Sequence, residues 1–505
     1  MSRTPPLSSA FNDTHSRGQK LSPQSGMCSF CTADCIGTCE IGLSAVLGAQ
    51  SVYPTNTGNN QIASEKDYPL DYSLFNINGR VFGAQGAAPD GDQATIFRVN
   101  LERTFGILHP VKLALPVILP AVVKMNWRDY YAGAAMAGVC CVIGEGAPGK
   151  DPALQLTDGK ITSFPLLGVM LDSFRRYDRG YGQIVLQCNC EDDAMGLPEY
   201  AIQEFGAKAI EFKFGQAAKG TQPVNFVKDL ETALAKQACG ALVHPDPSDP
   251  AVQKAYEKQT CPNFYTYGRL PMWDETNLVP RVRQLREMGL ENVYFKMAGY
   301  DPQDLEHVLR IAAQAQVDMV TFDGAGGGSG YSPCKMMNEW CQPTVCMETI
   351  LLKICQKLHD EGLTLPAITI TGGFATEDQV YKALALGDGR VTAIGMCRAS
   401  MAAANSGAKI GELIASGQLP PALGARGSTV QDVFQDLPDL RALYGVQANE
   451  FSPGAIGVFS FLNRIAFGLR HFCALNRKFD ISLAGKEDLI PLTQDARALL
   501  NGSCP

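Results

Sequence analysis

The chain has 505 residues, a hydrophobic fraction of 46% and a formal net charge of -8, with a sequence pI near 5.4 and a mean hydropathy of -0.04. That balance belongs to an ordinary globular protein with enough chain for a large core. It carries no basic footprint for nucleic acid or for an anionic membrane surface, which leaves small molecules or protein partners as the expected ligands.

Residues 1–25 are polar and rich in Pro, Ser and Gly, without a hydrophobic signal core. They read as an extended or disordered arm on a cytoplasmic protein. Residues 26–109 open with "CSFCTADCIGTC", which places Cys28, Cys31, Cys35 and Cys39 in one short segment. Three chemistries compete there. Disulfides are disfavoured in a long chain with an odd total of 17 cysteines and no export signal. Zinc knots pair two C-x2-C knuckles across a longer loop, which this segment lacks. Closely spaced thiolates suit an iron-sulfur cluster, and on a helix these spacings would bring all four thiols to one face. A [4Fe-4S] cluster is therefore the favoured assignment, with zinc and a structural or disulfide role as the alternatives. The remainder of this region, with its Gly, Asn and Pro turns, is expected to pack the cysteine segment against the domain that follows.

The apolar tract "ILHPVKLALPVILPAVV" (107–123) is broken by Lys112 and three prolines, so it reads as buried strands rather than a membrane span. From 110 to 415, eight short apolar runs alternate with amphipathic stretches: "ALPVILPAV" (114–122), "GVCCVIG" (138–144), "GQIVLQC" (182–188), "AKAIEFKF" (207–214), "NVYFKMA" (292–298), "VDMVTFDG" (317–324), "PAITITGG" (366–373) and "VTAIGM" (391–396). Helical patterns such as "WRDYYAGAAMAG" and "TEDQVYKALALG" lie between them. Strands regularly separated by helices argue for βαβ units, and eight of them fit an α/β fold of the (β/α)8, or TIM-barrel, type. A doubly wound sheet is the alternative, but no early G-x-G-x-x-G turn anchors one. Residues 416–505 read as a Pro/Gly linker and a small helical C-terminal tail. Cys140, Cys141 and Cys239 sit in apolar strand-like runs and read as core residues.

In such a barrel the chemistry gathers at the carboxyl ends of the strands. After the second run comes Glu145 in "GEGAPG"; the fourth contains Lys213 and is followed by Gln216; the fifth contains Lys296. A lysine inside an apolar strand is costly unless it is paired or faces a ligand. The two lysines either make internal ion pairs or form a cationic lining for an anionic ligand or a flavin. The glycine-rich "FDGAGGGSGYSP" after the sixth run lets backbone amides approach a ligand. With "TGGFAT" and "IGMCRAS" after runs seven and eight, it implies a monophosphate-bearing cofactor, held by amides of Gly372, Gly373, Gly395 and Met396 and by the charge of Arg398. His244 ends another strand-like run and reads as structural. Cys334, Cys341 and Cys346 form a second grouping, read as a further cluster, a reactive thiol or simply buried residues.

Taken in order, "LPAVVKMNW", "GEGAPG", "EFKFGQAAKG", "YFKMAG", "DGAGGGSGYSP", "TGGFATEDQVYKALALG" and "AIGMCRA" resemble the FMN-binding synthase domain of the glutamate synthase family across roughly residues 110–400. The resemblance implies an FMN-dependent barrel, acting on CH-NH2 or related donors, that reduces an imine formed from a 2-oxo acid and ammonia. Its electrons would come from a ferredoxin-like carrier through the iron-sulfur centre. By position, Lys213 and Gln216 would contact flavin or substrate, and Glu145 would line the substrate site. Lys296 would lie at the flavin ring, Gly327, Gly328 and Ser329 would cover the cofactor, and Gly372, Gly373 and Gly395 would hold its phosphate. No glutaminase domain is expected, the cysteines after the eighth strand are reduced to Cys397, and "AAKGTQP" and "SGYSP" depart from the family pattern. The alternatives are another redox reaction on the same flavin scaffold and a non-catalytic electron-transfer subunit. A homo-oligomer is compatible with each.

Overall fold

The structure, a computed structural model, describes residues 68–86, 91–214, 223–325, 327 and 340–504. The expected arm and Cys28, Cys31, Cys35 and Cys39 lie outside the described residues, as do Gln216, Gly328, Ser329 and Cys334.

Eight parallel strands close into a barrel, one from each apolar run: β1 (Val117–Val122), β2 (Cys140–Ile143), β3 (Ile184–Cys188), β4 (Ala209–Lys213), β5 (Asn292–Ala298), β6 (Met319–Asp323), β7 (Ala367–Thr371) and β8 (Val391–Gly395). They follow one another in chain order, and β8 closes on β1 through the pairs Ile394 with Val117 and Gly395 with Ile118. Both faces of each strand are covered, which is why the runs read as continuously apolar instead of alternating.

The helices that follow are α1 (Trp127–Ala137), α2 (Pro165–Arg175), α3 (Leu197–Phe205), α4 (Glu275–Glu287), α5 (Pro302–Gln314), α6 (Thr344–Asp360), α7 (Glu377–Leu386) and α8 (Arg398–Ala415). Local chemistry sets their ends. Asp301 caps α5, with Pro302 at its first helical position. Thr376 and Gln379 form a capping box on α7. Gly138, left-handed at φ 73, ends α1.

The barrel floor is plugged from below. A hairpin pairs Arg103–Phe105 with Val111–Leu113, and its Phe105, Val111 and Leu113 pack against the inward Ile118, Tyr294 and Met319. Burying a ring such as Phe105 contributes about 2 to 3 kcal/mol. Asp318 fastens the plug: its carboxylate accepts from the amides of Ile107 and Val293, each at 2.8 Å, and pairs with Arg286 at 3.0 Å.

Between β4 and α4 the chain builds a three-stranded antiparallel sheet in the order Pro223–Val227, Phe264–Tyr267, Leu242–His244, with a small core of Val227, Ala233, Val243 and Phe264. His244 belongs to this sheet and lies outside the barrel. Cys140 and Cys141 are buried as expected, but Cys239 is exposed because it ends the helix Leu230–Ala238.

The residues after 415 include the expected helices, which pack on the barrel. The helix α9 (Pro453–Leu475) packs across α8 and α1. Gly407 on α8 permits the approach, since a Cβ there would meet the carbonyl oxygen of Pro453 at 2.4 Å. Helix α10 (Gln494–Leu500) lies on α6, and Phe75–Ile77 pairs antiparallel with Leu489–Pro491. Among the described residues, no helix is long and apolar enough to cross a membrane.

Candidate active site

The inward positions of the barrel change character from bottom to top. Side chains on a strand alternate between faces, so the inward floor residues Ala209, Tyr294 and Met319 share their face with Glu211, Lys213, Lys296, Thr321 and Asp323. Gln187 on β3 joins them from the same face as Val185. All six polar groups are buried. The register sets Lys213 beside Lys296 and Lys296 beside Thr321, with Asp323 beside Thr371 one step higher. A fixed apolar floor thus carries a polar upper layer at the carboxyl ends of the strands.

Buried charges persist only when compensated. Lys213 donates to the Glu145 carboxylate at 2.9 Å. Lys296 lies 3.9 Å from the carboxylate of Asp323, a looser ion pair that keeps the ammonium near the mouth. Glu211 accepts from the side-chain amide of Gln187, whose own carbonyl oxygen accepts from the backbone of Glu145 at 3.4 Å. Burial pushes the Glu211 carboxyl up, against the pull of Lys296, Gln187 and Lys213. Thr321 Oγ1 is buried with no hydrogen-bond partner among the described residues.

The turn that carries Glu145 is held from beneath. Gly146 donates its amide to Asp192 at 2.8 Å, and Asn189 donates to the same oxygen at 3.3 Å. Burial raises the Asp192 carboxyl to about 7, despite these two amides. Glu145 and Lys213, which the sequence singled out separately, therefore meet above a buried carboxylate that the sequence did not reveal.

On the opposite arc, Thr344 at the start of α6 clasps the glycine turn after β7. Its hydroxyl donates to the carbonyl oxygen of Gly372 at 2.9 Å. A Cβ at Gly372, where φ is +123, would meet Thr344 Oγ1 at 2.7 Å, so this glycine serves close backbone packing. Gly373, at φ +88, faces open space. Gly395 is packed against Thr371 and Pro120, and Gly327 lies against the Asp323 carboxylate. The Met396 amide, expected to face a phosphate, instead donates to Ile118 at 3.0 Å, because the barrel ladder runs one residue beyond β8.

The first turn of α8 begins immediately above, with no side-chain cap. The amino end of an 18-residue helix attracts anions through its free amides and its dipole. Arg398 stands in that turn, and burial lowers its guanidinium below the usual value. Cys397 precedes the helix without a capping hydrogen bond; burial pushes its thiol up, while Lys296 and Arg398 draw it back. These residues fit a flavin mononucleotide by donor chemistry: Arg398, the α8 amides and the open Gly373 suit a phosphate, and Lys213 and Lys296 suit an electron-rich ring edge. Cys341 is engaged otherwise, its thiol donating to the carbonyl oxygens of Gly299 and Asp323. Among the described residues, no group of three or more His, Cys, Asp or Glu side chains is placed to hold a metal.

A family model described as the conserved region in glutamate synthase matches residues 269–406, about a quarter of the chain. No curated protein matches. Among solved structures, the chain is similar to the recombinant flavin-binding domain of baker's yeast flavocytochrome b2, at 12% identity and a TM-score of 0.45, covering 84% of this chain and 78% of that one. It is also similar to the monotopic membrane protein (S)-mandelate dehydrogenase, at 13% identity and a TM-score of 0.43 over 83% and 89% of the two chains. A mandelate oxidase with a monooxide FMN adduct matches at 14% and 0.42, over 83% and 88%. At these identities and scores the likeness supports no argument about chemistry.

These findings correct the narrower expectation. The family model reaches only the second half of the barrel, about a quarter of the chain, which does not show the glutamate synthase family, and the similar solved structures are flavocytochrome b2 and mandelate enzymes; Cys28, Cys31, Cys35 and Cys39 lie outside the described residues. The assignment to an iron-sulfur-linked, ferredoxin-fed synthase of the glutamate synthase type, acting on CH-NH2 donors, is therefore withdrawn. The (β/α)8 barrel with its polar mouth stands.

Proposed function

We propose that this protein is an FMN-dependent oxidoreductase acting on a small molecule at the carboxyl-terminal mouth of the barrel. The observation that carries the reading is the buried polar layer at the mouth, where Lys213 and Lys296 stand with Glu145 and Asp323, next to the start of α8 that carries Arg398. A polar layer of this kind, set above a closed apolar floor at the carboxyl ends of the strands, suits a polar or anionic ligand.

When bound, the flavin supplies a two-electron acceptor and donor. The chain's own residues do the rest. Arg398, Gly373 and the α8 amides would hold the phosphate. Lys296 would supply positive charge that favours the electron-rich form of the flavin. Lys213, held by Glu145, orients the substrate, and the closed floor below Tyr294 excludes water from that side. Glu211 and Gln187 anchor these groups from the layer beneath.

Titration of the flavin-stripped protein with FMN and with riboflavin, followed by flavin fluorescence, tests the reading. FMN should bind more tightly than riboflavin, and Arg398→Ala should bring the two affinities together. Equal affinities in the parent protein, or no binding of either, would overturn it. Screening small reductants, mandelate among them, for anaerobic bleaching of the bound flavin then identifies the substrate.

A further inference from the structure

The glycine turn after β7 is held on a second side by a stretch from near the start of the described chain. Tyr72 opens a short 3-10 helix, Tyr72–Leu74, whose start is fixed by the Asp71 carboxylate accepting from the amide of Ser73 at 2.7 Å. Its ring lies against that of Phe374, the residue after Gly373, with centroids 5.2 Å apart. Its hydroxyl donates to the Glu348 carboxyl on α6 at 2.8 Å. All three side chains are buried. Glu348 follows Thr344 by four residues, so the two share one face of α6, Thr344 engaging Gly372 and Glu348 engaging Tyr72. Cys346, between them in sequence, is a buried thiol.

Filling space does not account for this arrangement. Glu348 is fully withdrawn from water, and its Oε1 has no hydrogen-bond partner among the described residues, a cost that an aliphatic side chain in its place would avoid. Burial raises its carboxyl well above the usual range, against the pull of Tyr72 and Lys486, so it stands neutral and serves the hydroxyl as an acceptor. We propose that Tyr72 and Glu348 are positioning residues for the flavin phosphate, holding Phe374 so that the amide of Gly373 stays directed to that group. The inference rests on the flavin reading above and adds two residues outside the mouth to it. Gly373 is the mobile link, at φ +88 with open space where a Cβ would stand. Thr344 fixes its neighbour on one side and Tyr72 its neighbour on the other. A glycine left loose would lose its backbone freedom only when the phosphate arrived, and binding would weaken by that loss.

FMN and riboflavin are titrated into the flavin-stripped full-length parent, Tyr72→Phe and Glu348→Gln, with flavin fluorescence as the signal. In Tyr72→Phe the affinity for FMN should fall about tenfold, the worth of one buried hydrogen bond or one fixed residue, while riboflavin, which has no phosphate, binds as it does to the parent. Glu348→Gln keeps a neutral acceptor for the hydroxyl and should stay within about twofold of the parent for both ligands. An unchanged affinity of Tyr72→Phe for FMN would overturn the inference. So would an equal loss of both flavins, which marks a general structural role, or a loss in Glu348→Gln as large as that in Tyr72→Phe. A parent that holds FMN no more tightly than riboflavin is a different failure: it removes the flavin reading itself, and this inference with it.

Discussion

Lys213 on β4 reaches across β3 to bind Glu145 beyond the end of β2, at 2.9 Å, so the ion pair spans two strands that are not neighbours in the barrel. Both side chains are largely withdrawn from water. Removing one partner leaves the other charge stranded. Lys213→Met and Glu145→Gln should each cost about 3 to 5 kcal/mol, and the double variant should recover part of that loss. Urea unfolding of the three variants checks this, and single variants within 0.5 kcal/mol of the parent, an ordinary surface effect, would refute it.

Asp192 predicts a pH dependence of stability. Its native carboxyl titrates near 7, against about 4 in an unfolded chain. Between those values the folded protein keeps a proton that the unfolded chain releases, so stability falls as pH rises through the window and levels off above 7. Asp192→Asn should flatten that slope. Denaturant unfolding between pH 4 and pH 8 measures it directly, with an unchanged slope counting against the assignment.

The two glycines after β7 should behave differently. Gly372→Ala must force a Cβ against Thr344 and hold a non-glycine residue at φ +123, at a cost of about 2 to 4 kcal/mol. Gly373→Ala meets open space and should cost only about 1 kcal/mol from its backbone conformation, while weakening FMN binding. Thermal unfolding paired with FMN titration separates the two; similar thermal losses in both would argue against the packing account.

Lys296→Met removes a charge that favours the electron-rich, reduced flavin. The midpoint potential of the bound flavin should fall by about 30 mV for each 1.4 kcal/mol of lost stabilisation. A dye-coupled redox titration gives the number, and an unaltered potential would place Lys296 away from the ring.

The barrel was readable because its eight strands are short β-branched runs bounded by glycine and charge, and because burial on both faces leaves them little polarity to hide behind. The insert sheet was not. Its strands are short, Phe226, Leu242 and His244 are exposed, and its core amounts to Val227, Ala233, Val243 and Phe264. At the mouth, Lys213 and Lys296 stood out as isolated cations in apolar runs. Glu211 and Asp323 obey the same alternation, two residues before Lys213 and at the carboxyl end of β6, and counting inward positions from the floor residue Met319 would have found Asp323. Asp192 and the pairing of Glu145 with Lys213 depend on how the barrel closes, and so does the commitment of the Met396 amide to Ile118 on β1. Neither is encoded locally.

The pairing of Phe75–Ile77 with Leu489–Pro491 joins stretches separated by about 400 residues. At the usual pace of synthesis, roughly 5 to 20 residues per second, the earlier strand waits some 20 to 80 s for its mate to leave the ribosome. Through that interval Phe75, fully buried in the finished fold, has no native ladder to shelter it. Through that wait the stretch around Phe75 is open to aggregation, and a chaperone that holds extended apolar segments would be of use there.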